Sequence, residues 1–189
     1  MLIESIASSL AVGKVRGGKF KGIGELNIKK QYLFIIGFAI EFLSIFLHAN
    51  DIGGLSEFFN KYFIIIHSIS YIIIFIGLIF NFNKKSMILV FIGALLNYMV
   101  IAANGGQMPV SSSGLSLLGL DQYLEMLENN LVVTHTLINE STRLYLLGDV
   151  IPTPKFYPFS KIISIGDVLI GIGLFVLIQN GMLKKIKDK

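Results

Sequence analysis

From Tyr62 to Phe80 the chain runs without a single Asp, Glu, Lys or Arg. A stretch of that length and apolarity has few soluble homes, because about 20 consecutive apolar residues are what an α-helix needs to cross the hydrocarbon core of a bilayer. Three further stretches read the same way: Gln31–Leu47, Ser86–Ala103 and Ser160–Gln179. A fifth, Met1–Gly13, is shorter. Its positive charges follow the apolar core rather than precede it, which argues against a secretory signal. It reads as an uncleaved first helix, either spanning obliquely or lying partly in the interface. Composition agrees. Charged residues make up 15% of the chain and hydrophobic ones 53%, against about 25% charged in soluble domains. The fold class is therefore all-α: a polytopic helical membrane protein with four clear transmembrane helices, a short N-terminal helix and one long segment outside the membrane.

The basic residues predict the orientation. Lys14, Arg16, Lys19, Lys21, Lys29, Lys30, Lys84, Lys85, Lys184, Lys185, Lys187 and Lys189 fall on one side, and Lys61, Arg143, Lys155 and Lys161 on the other. The positive-inside rule places the larger group in the cytoplasm. The chain is then expected in the bacterial cytoplasmic membrane, its C-terminus cytoplasmic and residues 104–159 extracytoplasmic. The net charge of +4 does not imply a nucleic-acid partner, since the cations flank apolar spans. The chain has no cysteine, which excludes disulfides, thiolate catalysis and Cys-ligated metals. No cofactor and no metal site is expected. With no internal repeat or linker, residues 1–189 form one domain.

Depth then sorts the polar side chains. At about 1.5 Å per residue, Glu41, His67, Asn97 and Asp167 all fall in the outward halves of their helices, Asp167 about two turns into the last. An ionisable group in mid-membrane costs on the order of 2.5–3.5 kcal/mol, so such groups face one another or a wet cavity. These four are expected to share one outward pocket, although interhelical hydrogen bonds worth about 0.6 kcal/mol each would also explain Asn97 and His67. Asn104-Gly105-Gly106 ends the fourth helix, and paired glycines let a backbone turn sharply and approach a ligand closely. In "VVTHTLINESTRLYLL", His135, Asn139 and Arg143 recur every four residues and would form one polar stripe if the stretch were helical. Leu117, Leu120, Leu124 and Leu127 predict an amphipathic surface helix with Asp121, Glu125 and Glu128 opposite. Asn104, Gly105, Gly106, His135, Asn139 and Arg143 are the candidate substrate-binding residues. Arg143 is alternatively an ion-pair partner for Asp149 or Asp167.

Over its full length, on "RGGKF", "NGGQMPV", "HTLINESTRLYLLGDVIP" and "SIGDVLIGIG", the chain resembles a family of bacterial membrane proteins classed as a domain of unknown function. Its C-terminal part also looks like the last third of the bacterial lipoprotein signal peptidases. "INESTR" supplies Asn139 and Arg143 of that family's first motif, "GDVI" supplies Asp149, and "ISIGDVLIGIG" supplies Asp167. Thr142 and Ser164 depart from the pattern, and "NGGQMP" only echoes an earlier element. This resemblance implies catalytic roles for Asp149 and Asp167, with Asp149 folded back over Asp167 by a reversal through Pro152 and Pro154. The substrate would be lipid-linked or peptidic. The competing reading is a non-enzymatic ion- or solute-binding protein, or an accessory subunit of a membrane complex.

Overall fold

The structure is a computed structural model that describes residues 2–50, 55–154, 157 and 159–184. Helices dominate. In chain order they are α1 (Leu2–Val15), α2 (Lys21–Gly24), α3 (Tyr32–Ala49), α4 (Leu55–Ile79), α5 (Lys85–Ala103), α6 (Ser112–Leu117), α7 (Asp121–Glu128) and α8 (Ile165–Met182). Among the described residues, three helical stretches are long and apolar enough to cross a membrane: Lys61–Ile79, Lys85–Ala103 and Ile165–Met182. Tyr32–Leu47 is a shorter apolar stretch. Ile35, Phe38, Phe42, Ile65, Ile72 and Ile172 stand exposed along these helices, an apolar surface of the kind that soluble monomers avoid.

The bundle is an open arc. α3 packs on α4, α4 on α5, α5 on α8, and α8 on α1. The tightest seam, α5 against α8, is made by glycine. A Cβ on Gly166 would overlap the Asn97 side chain and meet the Gly93 carbonyl oxygen at 2.6 Å, so the two backbones approach as only small residues allow. α1 is stitched on by polar groups. The buried Gln179 amide donates to the Ser9 carbonyl at 2.6 Å, and Arg16 donates to Gln179 Oε1 at 3.1 Å. At the basic end, Asn81 is fully buried and bonds both N–H and C=O of Lys29, which fixes the entry to α3.

The opposite end carries a cap, residues 104–164, and here the all-α expectation needs correcting. Among its described residues the cap holds two small sheets. β1 (Met108–Val110) pairs in parallel with β2 (His135–Leu137), Met108 opposite His135 and Val110 opposite Leu137. β3 (Ile151–Pro152) pairs antiparallel with β4 (Ile162–Ile163). Because His135 lies in a strand, the polar stripe of His135, Asn139 and Arg143 does not form. Val132, Val133, Thr134 and Thr136 surround it, and such β-branched residues fit a strand better than a helix. The expected surface helix is two helices, broken where Gly119 adopts a positive φ of 67°. Val110, Leu115, Leu127 and Ile162 form the cap's own apolar core, with Leu120 and Leu124 against it, while Leu117 is exposed.

Candidate functional site: a buried carboxyl above the start of α8

The last helix begins later than its apolarity implies. Ser160–Lys161 lie outside it, Ile162–Ile163 are β4, and α8 starts at Ile165. Asp167 is therefore in the first turn, not two turns into the bilayer. It is half of a capping box. The Ser164 hydroxyl accepts from the Asp167 N–H at 2.9 Å, and the Asp167 carboxyl accepts from the Ser164 N–H at 3.5 Å. This satisfies two donors that a helix start otherwise leaves bare, and it places a carboxylate where the helix dipole favours it. Asn97 completes the arrangement: its Nδ2 donates to Asp167 Oδ1 at 3.0 Å, and its Oδ1 accepts from Ser164 Oγ at 2.8 Å.

Asp149 comes from a different construction. It sits at the free edge of β1, its N–H donating to the Pro109 carbonyl at 2.8 Å and its own carbonyl accepting from Ser111 at 3.0 Å. Pro109 has no N–H to give, so that edge of β1 is held through its acceptor and through Ser111. β2 lies along the other edge, and so His135 and Asp149 flank one strand. His135 Nε2 is 3.7 Å from Asp149 Oδ2, while its Nδ1 contacts Thr134 Oγ1 at 2.8 Å. From Asp149 the chain runs through β3, reverses and returns through β4 to Ser164. The Thr153 hydroxyl and N–H both bond the Lys161 carbonyl, at 3.0 and 2.9 Å. Pro152 lies in β3 and Pro154 just after it; Lys155, Phe156 and Pro158 are outside the described residues.

The result is a cavity of about 500 Å³ whose walls include Tyr123, His135, Asp149, Ser160, Lys161 and Asp167. Asp149 is 7% exposed, and its Oδ1 is buried without a hydrogen-bond partner. Burial, reinforced by the negative charge of Asp167, pushes the Asp149 carboxyl up to about 8. Burial also lowers the His135 imidazole, against the opposing pull of Asp167, and raises the Tyr123 phenol with help from Asp149. Lys161 is engaged by Glu4 of α1. Among the described residues no hydrogen bond joins the two aspartates, and no group of three His, Asp or Glu is placed to hold a metal ion.

Asp167 also walls a second cavity, a groove of about 720 Å³ lined by α3, α4, α5 and α8, with Glu41, Tyr71 and Asn97 at the same end. His67 is not in its wall. His67 Nδ1 lies 2.5 Å from Glu41 Oε1; Phe63 stacks on its ring and Tyr71 lies tilted against it. The expected single pocket is thus two cavities that meet at Asp167.

The remaining expected binding residues line neither cavity. Asn104 is a clamp: its Nδ2 donates to Val100 and Arg143 carbonyls at 2.7 and 2.8 Å, and its Oδ1 accepts from Arg143 N at 2.9 Å. Gly105 and Gly106 take φ of 70° and 94° to turn the chain from α5 into β1. Asn139 is exposed and closes a local turn onto Ser141. The exposed Arg143 side chain forms no ion pair with Asp149 or Asp167. Ser160, Lys161 and Tyr123 are wall residues that the sequence reading did not single out. Lys161 alone carried a signal, a lone cation four residues before the start of an apolar helix.

Residues 25–179 match a family of unknown function, DUF5317. The chain belongs to that family. A protein of Thermotoga maritima described as an "Uncharacterized protein" is 32% identical over 178 residues, which is 93% of this chain and 89% of its own length. No solved structure matches the chain. The DUF5317 match runs from before α3 to residue 179 within α8 and includes every residue lining both cavities, so the site lies within the part of the chain that matches the family.

Proposed function

We propose that this DUF5317 member is a multi-pass protein of the bacterial cytoplasmic membrane, with α3 as a fourth span, a cytoplasmic C-terminus and the cap outside. The charge asymmetry of the connecting segments supports that orientation. Within it, the cap cavity acts as a two-carboxyl acid–base site, in the manner of a membrane aspartic peptidase, on an amide or ester of a lipid-linked or peptide substrate.

One observation carries this reading: Asp149 and Asp167 wall one cavity in opposite electrostatic settings. Asp149 is buried and favours its proton at neutral pH, whereas Asp167 sits at a helix N-terminus with Asn97 and Ser164 donating to it. Hydrolysis by two carboxyls needs that asymmetry. Asp167 takes a proton from water as the water oxygen bonds to the substrate carbonyl carbon, and Asp149 donates its proton to the carbonyl oxygen. Collapse returns that proton to Asp149, and the leaving group departs with the proton held by Asp167. His135, its imidazole pKa lowered by burial, lies beside Asp149, while the cavity's Lys161 is held by Glu4.

The test is mass spectrometry of membrane lipoproteins and lipids from cells lacking the gene and complemented with wild type, Asp149→Asn or Asp167→Asn. A product class should depend on wild type and fall by at least about 100-fold with either folded variant. Complementation by both variants defeats the reading. A second reading has its own support, because the capping box and the Asn97 bond account for Asp167 without chemistry. The cap cavity is then a non-enzymatic binding site for a small polar solute or cation, or part of an accessory subunit. In that case solute occupancy, but no hydrolysis, depends on Asp149.

A further inference from the structure

The groove among α3, α4, α5 and α8 has no part in the chemistry above, yet it is the larger cavity and its composition is graded. Phe34, Ile74, Leu78, Ala94 and Leu174 furnish its length, whereas Glu41, Tyr71, Asn97 and Asp167 gather at the end beneath the cap. α3 and α8 form the two ends of the four-helix arc that lines it, so it opens sideways along the bundle, onto lipid in the membrane reading. Its volume falls within the range of about 300–1,000 Å³ typical of sites that bury a small organic ligand.

We propose that this groove holds the aliphatic chain of a membrane amphiphile whose head carries no negative charge and lies against Glu41, Asn97 and Asp167. A chain leaving lipid for an apolar groove gains little hydrophobic free energy, since lipid tails are already apolar. Selection therefore falls on the head. The head end presents two carboxyl groups, of which Glu41 is tied to His67 and Asp167 to Asn97 and Ser164. It presents no Lys or Arg. Hydrogen-bond donors such as hydroxyl or ammonium suit that surface. A phosphate or carboxylate placed there meets like charge at low dielectric. The wall of the far end likewise holds no Lys or Arg. Gln31 is the polar residue in its wall, Lys30 Nζ lies over the Tyr32 and Phe80 rings at 5.9 and 6.0 Å, and Lys84 Nζ donates to the Asn27 carbonyl at 2.7 Å. Because Asp167 belongs to both cavities, a chain seated in the groove brings its head to the floor of the cap cavity. This links substrate class to the proposed chemistry while resting only on the membrane reading.

The experiment is photolabelling of the full chain in phosphatidylcholine vesicles. Three probes share one diazirine-bearing chain and end in a hydroxyl, an amine or a phosphate. The hydroxyl and amine probes should label α3 and α8 residues facing the groove at least about tenfold above the phosphate probe. Leu174→Trp fills the groove from α8, and Ile35→Trp does so from the exposed side of α3; each should abolish the groove labelling. Ile172→Trp, on the exposed face of α8 and outside the groove wall, should leave it intact. Equal or stronger phosphate labelling, or labelling that both filling variants leave unchanged, overturns the inference. Asp149→Asn separates the two proposals, since it should end turnover and preserve labelling. Turnover without groove labelling sinks this inference alone.

Discussion

The start of α8 and the free edge of β1 each hold one aspartate of the same cavity, yet they treat it in opposite ways. At α8 the carboxyl is half-buried and bonded to Ser164 and Asn97, and those partners belong to the glycine-lined seam with α5. At β1 the carboxyl is nearly sealed, one oxygen has no partner, and its nearest cation candidate is an imidazole at 3.7 Å whose pKa burial lowers. The residue that looks anomalous in sequence, an acid in a greasy helix, is the one the fold explains completely. The unremarkable Gly-Asp pair in a loop is the one left with unsatisfied chemistry. An ionisable group out of place along the chain is thus a poor guide to reactivity. An ionisable group without a partner in space is a better one.

The contrast can be broken at its strongest point first. Gly166→Leu should separate α5 from α8, because the new side chain meets Gly93 and Asn97. A loss above about 3 kcal/mol is expected, beyond ordinary overpacking, and would be seen as failure to recover monodisperse protein in detergent. Asp167→Ala, which removes the capping carboxyl and the Asn97 bond, should cost about 1–2 kcal/mol, read as a lower thermal midpoint. Asp149→Asn should cost less than Asp167→Ala, since a protonated carboxyl and an amide are alike in shape and charge. Recovery of stable Gly166→Leu protein, or equal losses at the two aspartates, would erase the distinction.

A pH profile sharpens the same contrast. Asp149 rises from 3.8 to about 8 on folding, so between those values the folded chain binds the extra proton. Its contribution is then fully present below about pH 4, declines as pH rises, and is gone above about pH 8. Wild type should lose stability over that window, and Asp149→Asn should flatten the profile. The smallest expected effect is Asn104→Ala. Removing the clamp between α5 and Arg143 costs on the order of 1 kcal/mol, with faster amide exchange confined to residues 139–149.

Much of the bundle is legible from apolar runs, because length and hydropathy constrain a helix locally. The register of the cap is not. β1 meets β2 across a separation of 27 residues, and nothing local specifies that partner. The β-branched run around His135 did signal a strand, and the four-residue spacing of His135, Asn139 and Arg143 concealed it. Ser164-Ile-Gly-Asp167 is likewise a helix-start signature; read as mid-span, it put Asp167 too deep. The meeting of Asp149 and Asp167 in one cavity, by contrast, follows the antiparallel pairing of β3 with β4, and Pro152 lies within β3. That pairing joins residues only about ten apart in sequence.

The most direct measurement is the ionisation of the Asp149 carboxyl in the folded protein, followed by isotope-edited infrared spectroscopy across pH in wild type and Asp167→Asn. A proton retained past pH 7 in wild type, and released at lower pH once the charge at position 167 is gone, is the predicted result. Release near pH 4 in both proteins would contradict the account.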